Sequence, residues 1–266
     1  MDDDIGIANG ADGGGAHGRA QLVVRIQEPW GVEQHELGVG IGEDSDDARP
    51  CGLRFGAGDR EVFADAKGRI TYGALKERIE RCAEFLRRTG IKRGDVVTIQ
   101  LPNRIDFPVV FFALELIGAI ANKVNPDFRA RELEYILKFS GSSAYAFPRE
   151  FKSHDYVTMA KSLQQAVPNL KHLIVAGGGA EGIHDLDAGL RECAPISAAN
   201  RVKMDPDEIF RMAFTSGTTG DPKCVLHSFN STLYAAVLVN HDMKVTDKDV
   251  MLVYLPVGLK IGRAHV

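Results

Sequence analysis

Cysteine is sparse in this sequence. Its four cysteines are Cys51, Cys82, Cys193 and Cys224. No pair has CxxC spacing and no His-x3-5-His run accompanies them, which argues against a zinc site or a disulfide framework. Idle or buried thiols in a reducing cytoplasm are the expectation. A basic excess is also missing: 32 Lys and Arg stand against 36 Asp and Glu, for a formal net charge of -4. A general nucleic-acid binder would carry the opposite balance, so no nucleic-acid partner is expected. Any anionic ligand must be held by a local positive site, because the global field does not help it. Long hydrophobic runs are absent as well. The most apolar stretch, Phe107 to Ala121, is interrupted by Glu115 and falls short of the roughly 20 residues of a membrane span. It reads as a buried core helix. The acidic start, Met1-Asp2-Asp3-Asp4, has no apolar segment and does not read as a secretory signal.

What is present is ordinary for a soluble globular chain: 44% hydrophobic and 26% charged residues over 266 positions. That length suits one large domain or two small ones. Residues 1–60 differ from the rest. They hold Gly13, Gly14 and Gly15 and an acidic run of Glu43, Asp44, Asp46 and Asp47, with no sustained period. They read as a disordered or loosely packed extension, in which Leu22–Ile26 can form one short strand.

From residue 61 strands alternate with helices. Thr71 can cap a helix carrying Leu75, Ile79, Cys82 and Leu86 on one face, with Gly90 as its stop. Asp95–Leu101 reads as a strand. Asp106 is placed to cap the apolar helix that follows, with Pro108 in its first turn. Ala119–Val124 is a strand, and Ala130–Phe139 a helix with Leu133, Ile136 and Leu137 inward and Gly141 as its stop. Ala144–Phe147 is a strand, Tyr156–Val167 a helix and Leu173–Ala176 a strand. Gly177–Gly179 opens a poorly patterned stretch to about Asn200. Glu208–Phe214 and Cys224–His227 are extended, Asn230–His241 is helical and Val250–Leu255 is a last strand. This alternation implies an α/β fold with a largely parallel sheet and flanking helices.

One segment concentrates chemistry: Thr215-Ser216-Gly217-Thr218-Thr219-Gly220-Asp221-Pro222-Lys223. It places four hydroxyls, two glycines and a lysine directly after a strand. Glycine lets backbone come close to a ligand and turn N–H groups inward, and successive inward N–H groups form an anion nest. The hydroxyls add donors for phosphate oxygens, and Lys223 adds a compact positive charge. A polar turn of purely local origin is the bland alternative. A Walker A loop is excluded by spacing: Gly217 and Gly220 are three apart, and Cys224 follows the lysine where that motif has Ser or Thr.

Thr215–Lys223 resembles the TSGTTGxPK signature of the adenylate-forming superfamily, which includes acyl-CoA synthetases, peptide-synthetase adenylation domains and luciferases. Ile70-Thr71-Tyr72 with Leu75, Gly94-Asp95-Val96-Val97, Leu101-Pro102-Asn103, Gly118-Ala119, Asn125-Pro126 and Arg131-Glu132-Leu133 extend the resemblance over about residues 61 to 258. It implies that residues 61–266 are part of the family's N-terminal AMP-binding domain, and that residues 1–60 lie outside it. It also implies an AMP-forming acid–CoA ligase: ATP and a carboxylic acid give acyl-AMP and pyrophosphate, then the thiol of CoA or a carrier displaces AMP. On this resemblance Thr215, Ser216, Gly217, Thr218, Thr219 and Gly220 cradle phosphate, and Lys223 acts catalytically as the counter-charge. Mg2+ on the phosphates is implied, without a protein ligand that can be named. Lys223-Cys224-Val225-Leu226-His227-Ser228 looks closest to the acyl-CoA branch, which points to a fatty or other organic acid. His227 has two readings, a helper near the nucleotide or a packed histidine beginning a helix.

The sequence departs from the family at three places. Cys224 stands where members usually carry glycine; it reads either as a thiolate activated beside Lys223 or as a small apolar replacement. Phe229 stands where many members have a second histidine. Pro256, Leu259 and Gly262 fall on a P-x-x-H-x-x-G stretch with leucine replacing the histidine. Family enzymes are roughly twice as long, and their aromatic-Gly-x-Thr-Glu segment, ribose-binding Asp and C-terminal lysine domain find no counterpart before Val266. The chain is therefore expected to be a fragment without catalysis of its own. A non-catalytic interaction protein that keeps half the fold is the alternative.

Overall fold

A computed structural model of the protein describes residues 22–25, 58–215, 222–246, 249–253 and 255–256. The chain builds β1 (Leu22–Arg25), β2 (Glu61–Asp65), β3 (Gly68–Thr71), α1 (Tyr72–Arg88), β4 (Val96–Ile99), α2 (Asp106–Leu116) and β5 (Ile120–Lys123). Then follow α3 (Ala130–Ser140), β6 (Ala144–Pro148), the short strands β7 (Glu150–Phe151) and β8 (His154–Asp155), and α4 (Tyr156–Ala166). The rest comprises β9 (His172–Ala176), β10 (His184–Asp185), α5 (Leu186–Glu192), β11 (Ile209–Phe214), β12 (Cys224–Ser228), α6 (Phe229–Asp242) and β13 (Val250–Val253).

The principal sheet runs β10-β9-β6-β4-β5-β11-β12. Every neighbouring pair in it is parallel except β11 with β12. β4 and β6 are buried at every residue, as strands covered on both faces must be. Alternate side chains serve two cores. Val97, Ile99, Ala121, Ala144 and Ala146 face α1, α2 and α5. Tyr145, Phe147, Leu173, Val175 and Phe214 face α3 and α4. A second, antiparallel sheet runs β13-β1-β2-β3.

The expected helices form for the expected reasons. Thr71 Oγ1 accepts the N–H of Ala74 at 3.3 Å and caps α1. Leu75, Ile79, Cys82 and Leu86 are all buried beneath it, and each such leucine or isoleucine contributes about 1.5–3 kcal/mol. Gly141 takes a left-handed φ of 64° and stops α3.

Two expectations are corrected, and the last strand finds its place. Asp106 is the first residue of α2, not its cap; its carboxylate meets Arg78 at 3.2 Å, while Asp65 Oδ2 accepts the N–H of Ile105 at 2.8 Å. The stretch after Gly179 is not patternless. Asp185 Oδ1 accepts the N–H groups of Asp187 and Ala188 and nucleates α5, a helix too short to show a period. The last strand pairs with β1 in the second sheet, four residues in antiparallel register, Leu22 opposite Val253. β1 is the short strand read at Leu22–Ile26; the remainder of residues 1–57 lies outside the described residues.

Candidate functional site

β11 leaves the sheet at Phe214 and β12 re-enters at Cys224, directly opposite it in the ladder. The nine-residue loop between them opens at the carboxyl end of the parallel strands, where open α/β sheets bind ligands. Its two ends are tied twice. The N–H of Thr215 donates to the Lys223 carbonyl at 2.9 Å, and the N–H of Lys223 donates to Thr215 Oγ1 at 3.0 Å. The Thr215 hydroxyl thus fixes the backbone of the lysine, while the Lys223 side chain is exposed. Phe214 is buried behind the mouth, edge-on to Phe139 at 5.7 Å between centroids.

Of the residues singled out in the sequence, Thr215 and Lys223 are brought together. Ser216, Gly217, Thr218, Thr219 and Gly220 lie outside the described residues. His227 stands in β12, opposite Arg211. It is four residues from Lys223, about 13 Å along an extended strand. It belongs to a strand, not to the start of a helix; Ser228 caps α6, accepting the N–H of Ser231 at 3.3 Å. Burial pushes the half-buried Cys224 thiol up, away from thiolate character, which favours the small apolar reading of that position.

Three elements beside the loop escaped the sequence reading. The first is Gln100, just beyond β4. Its Nε2 donates to the carbonyls of Asn125 at 3.0 Å and Phe128 at 2.9 Å, with a longer contact to Pro126 at 3.3 Å, and Tyr145 donates to its Oε1. This fixes the 125–128 turn that leaves β5, the strand next to β11. The second is Lys123, the last residue of β5 and opposite Ala213. Burial, aided by repulsion from Arg211, pulls its ammonium down to about 8. The third is Arg211 itself. Burial draws its guanidinium down against the attraction of Glu115, and its guanidinium carbon sits 5.7 Å from the Phe210 ring centroid. A charged residue within an apolar strand is the signal that marks Lys123 and Arg211.

The exposed Lys223 ammonium at the mouth of the loop offers the compact positive charge that an anion such as a phosphate requires. For a divalent cation, no group of three or more His, Cys, Asp or Glu side chains occurs among the described residues.

Residues 55–266 match the AMP-binding enzyme family. The chain is 31% identical over 206 residues to the salicyl-AMP ligase / salicyl-S-ArCP synthetase of Mycobacterium tuberculosis, covering 75% of this chain and 36% of that one. It is 28% identical over 208 residues to the medium-chain fatty-acid–CoA ligase of Escherichia coli, covering 78% and 37%. Among solved structures, the apo form of Mycobacterium smegmatis MbtA superposes with a TM-score of 0.61 at 27% identity, over 68% of this chain and 33% of that one. The anthranilate CoA ligase AuaEII, bound to anthranoyl-AMP, shares the fold at a TM-score of 0.59 and 23% identity, over 65% and 32%. The chain spans about a third of the length of these relatives. With the match running through the loop and both strands that frame it, the chain belongs to the AMP-binding enzyme family, the adenylate-forming ligases.

Proposed function

We propose that the protein to which this domain belongs activates a fatty or other organic acid by AMP-forming ligation. A carboxylate oxygen attacks the α-phosphorus of ATP, the bond to the pyrophosphate oxygen breaks, and acyl-AMP and pyrophosphate form. The thiol of CoA, or of a carrier, then takes the acyl group and releases AMP. The observation that carries this reading is the double tie between Thr215 and Lys223, which anchors the lysine backbone at the mouth of the loop.

In this reading Thr215, Ser216, Gly217, Thr218, Thr219 and Gly220 cradle the phosphates, and Lys223 neutralises charge growing on the departing pyrophosphate. Donors already aimed at that charge need no reorganisation. His227, in β12 opposite Arg211, is either a helper near the nucleotide or a packed histidine. Mg2+ would supply further neutralisation of the phosphate oxygens. The family's ATP and CoA chemistry, the match to a fatty-acid ligase and the match to an aryl-acid ligase support the class of reaction and leave the acid open. We place the partial domain at residues 61–266, with residues 1–60 as an extension, and the protein in the cytoplasm. The 266-residue chain by itself is expected not to turn over, and to bind ATP more weakly than about millimolar, worth less than ~4 kcal/mol.

Carboxylate-dependent ATP–pyrophosphate exchange by the protein isolated from its source tests this. Lys223→Ala should slow exchange by the ~10²–10³ typical of losing one transition-state donor. An unchanged rate removes Lys223 from the mechanism, and exchange that ignores every carboxylate sinks the reading.

A further inference from the structure

The second sheet closes a ring around one turn of the first. Among the described residues, β13 pairs with β1 alone, antiparallel, from Leu22 opposite Val253 to Arg25 opposite Val250. On its other side β1 pairs with β2, Val23 opposite Ala64 and Val24 opposite Phe63. β13 in turn reaches the turn after β4. Asn103, buried there, donates from Nδ2 to the carbonyls of Val253 at 3.1 Å and Leu255 at 2.8 Å. β2 reaches the same turn from its own last residue: Asp65 Oδ2 accepts the N–H of Ile105 at 2.8 Å. The path from β2 through β1, β13, Asn103, Ile105 and Asp65 back to β2 is closed. Residues 102–105 leave the carboxyl end of the parallel strands, the end at which the Thr215–Lys223 loop opens.

Part of the ring is held by little besides main-chain pairing. β13 has no buried residue, and Val250, Met251 and Leu252 are 46%, 38% and 54% exposed. Its place depends on the ladder with β1 and on Asn103. β1 is only four residues long and lies outside the segment 55–266 that matches the family. Positions 26–60, 35 residues of chain, separate it from β2. β2 and β13 are both antiparallel to β1, so the slot between them takes one extended strand running against both. Strand addition of this kind draws its affinity from main-chain hydrogen bonds, and a strand so held can come and go as a unit. We propose that β1 is a detachable strap. Docked between β2 and β13, it closes the ring and fixes the 102–105 turn; undocked, it releases β13 and frees that turn. The inference does not rest on the ligase reading.

Amide hydrogen exchange of the 266-residue chain tests this. Proline cannot donate to a ladder, and successive N–H groups of a central strand point to opposite neighbours. Val23→Pro with Val24→Pro therefore removes a donor to each side of β1. The double variant should exchange the amides of Val250–Val253 about tenfold faster or more, and the amide of Ile105 should speed with them, while Val97–Ile99 and Ala144–Phe147 keep their protection. A synthetic peptide of residues 20–27, added to the variant at about 1 mM, should restore at least half of the lost protection. Docking through a tether works against an effective concentration of about millimolar at most, so the free strand must bind at least that well. A scrambled peptide should restore nothing. Unchanged exchange at Val250–Val253, or failure of the peptide to rescue, overturns the strap. Faster exchange in β13 without Ile105 overturns its hold on the turn. Loss of protection in β4 and β6 as well would make β1 an integral strand of the fold, not a strap. If the variant does not fold, the unaltered chain still decides: in low urea β13 and Ile105 should open together before β4 and β6, and coincident opening of all four overturns the proposal.

Discussion

The phenol of Tyr145 donates its hydrogen bond to Oε1 of Gln100, and that bond orients the amide. With Oε1 occupied, the Nε2 hydrogens face the turn after β5 and meet the carbonyls of Asn125 and Phe128. Both Tyr145 and Gln100 are fully buried. The pair converts a polar residue inside an apolar strand layer into a clamp on the turn beside the loop-bearing strand.

Gln100→Leu keeps the volume roughly and removes every one of these bonds. The Tyr145 hydroxyl and the turn carbonyls lose their partner, at a cost of about 1–3 kcal/mol per buried unsatisfied group, less where other donors remain. Arg129 and Tyr156 also donate into this turn, so the total should fall toward the low end of that range. Denaturant unfolding should show a lower midpoint with an unchanged slope. A midpoint equal to wild type would mean that the clamp contributes nothing.

Thr215 supplies the hydroxyl that receives the Lys223 N–H. Thr215→Val retains the β-branched shape and deletes the acceptor; Thr215→Ser retains the acceptor. The valine variant should lose about 0.5–1.5 kcal/mol, the net worth of one hydrogen bond, and the serine variant less. The amide of Lys223 should also exchange its hydrogen faster in the valine variant alone. Equal exchange in all three proteins would show that the hydroxyl does not hold the lysine backbone.

Much of this architecture was legible in the residues. Leu75, Ile79, Cys82 and Leu86 announce α1 because a long amphipathic helix repeats its signal over four turns. The Thr215–Lys223 loop announces itself because hydroxyls, glycines and a lysine rarely crowd into nine residues for local reasons. α5 was hidden because Leu186 to Glu192 spans only two turns, and its start is set by the Asp185 side chain rather than by a period. The role of Gln100 was hidden because its partners lie 25 to 45 residues away. Lys123 and Arg211 stood in plain view as charges within strands, but only the ladder register shows that they share a face.

Glu84 makes the fold sensitive to acid. Its carboxylate accepts from Arg87 Nε at 2.9 Å and from Arg88 Nε at 2.8 Å. Those hydrogen bonds, against the opposing effect of burial, hold its pKa down to about 2 from an ordinary 4.5. A carboxylate depressed in the folded state stabilises fully above its unfolded pKa, and that stabilisation is lost as pH falls through the folded value. Stability should therefore decline between about 4.5 and about 2. Glu84→Gln should flatten this portion of the curve while costing some stability at neutral pH. An identical acid profile in the variant would show that other groups govern the transition.

Gly189 in α5 meets the ring of Phe85 in α1 so closely that no side chain fits between them. A methyl group built at its Cβ position falls within 2.6 Å of Cγ and Cε2 of the ring. Alanine has the higher helix propensity, by about 1 kcal/mol, so propensity alone predicts that Gly189→Ala stabilises. Packing predicts the reverse, because forcing a methyl into a filled contact costs typically about 1–3 kcal/mol. The contact should win, giving a net loss. Phe85→Ala provides the control, since it removes Cγ, Cδ2 and Cε2, the atoms that would clash. In that background Gly189→Ala should become neutral or stabilising, and the double-mutant cycle should return a coupling of about 1–3 kcal/mol, within the range seen for residues in contact. Additive effects of the two substitutions would mean that α5 does not sit on the α1 ring at all, and the placement of this short helix would have to be given up.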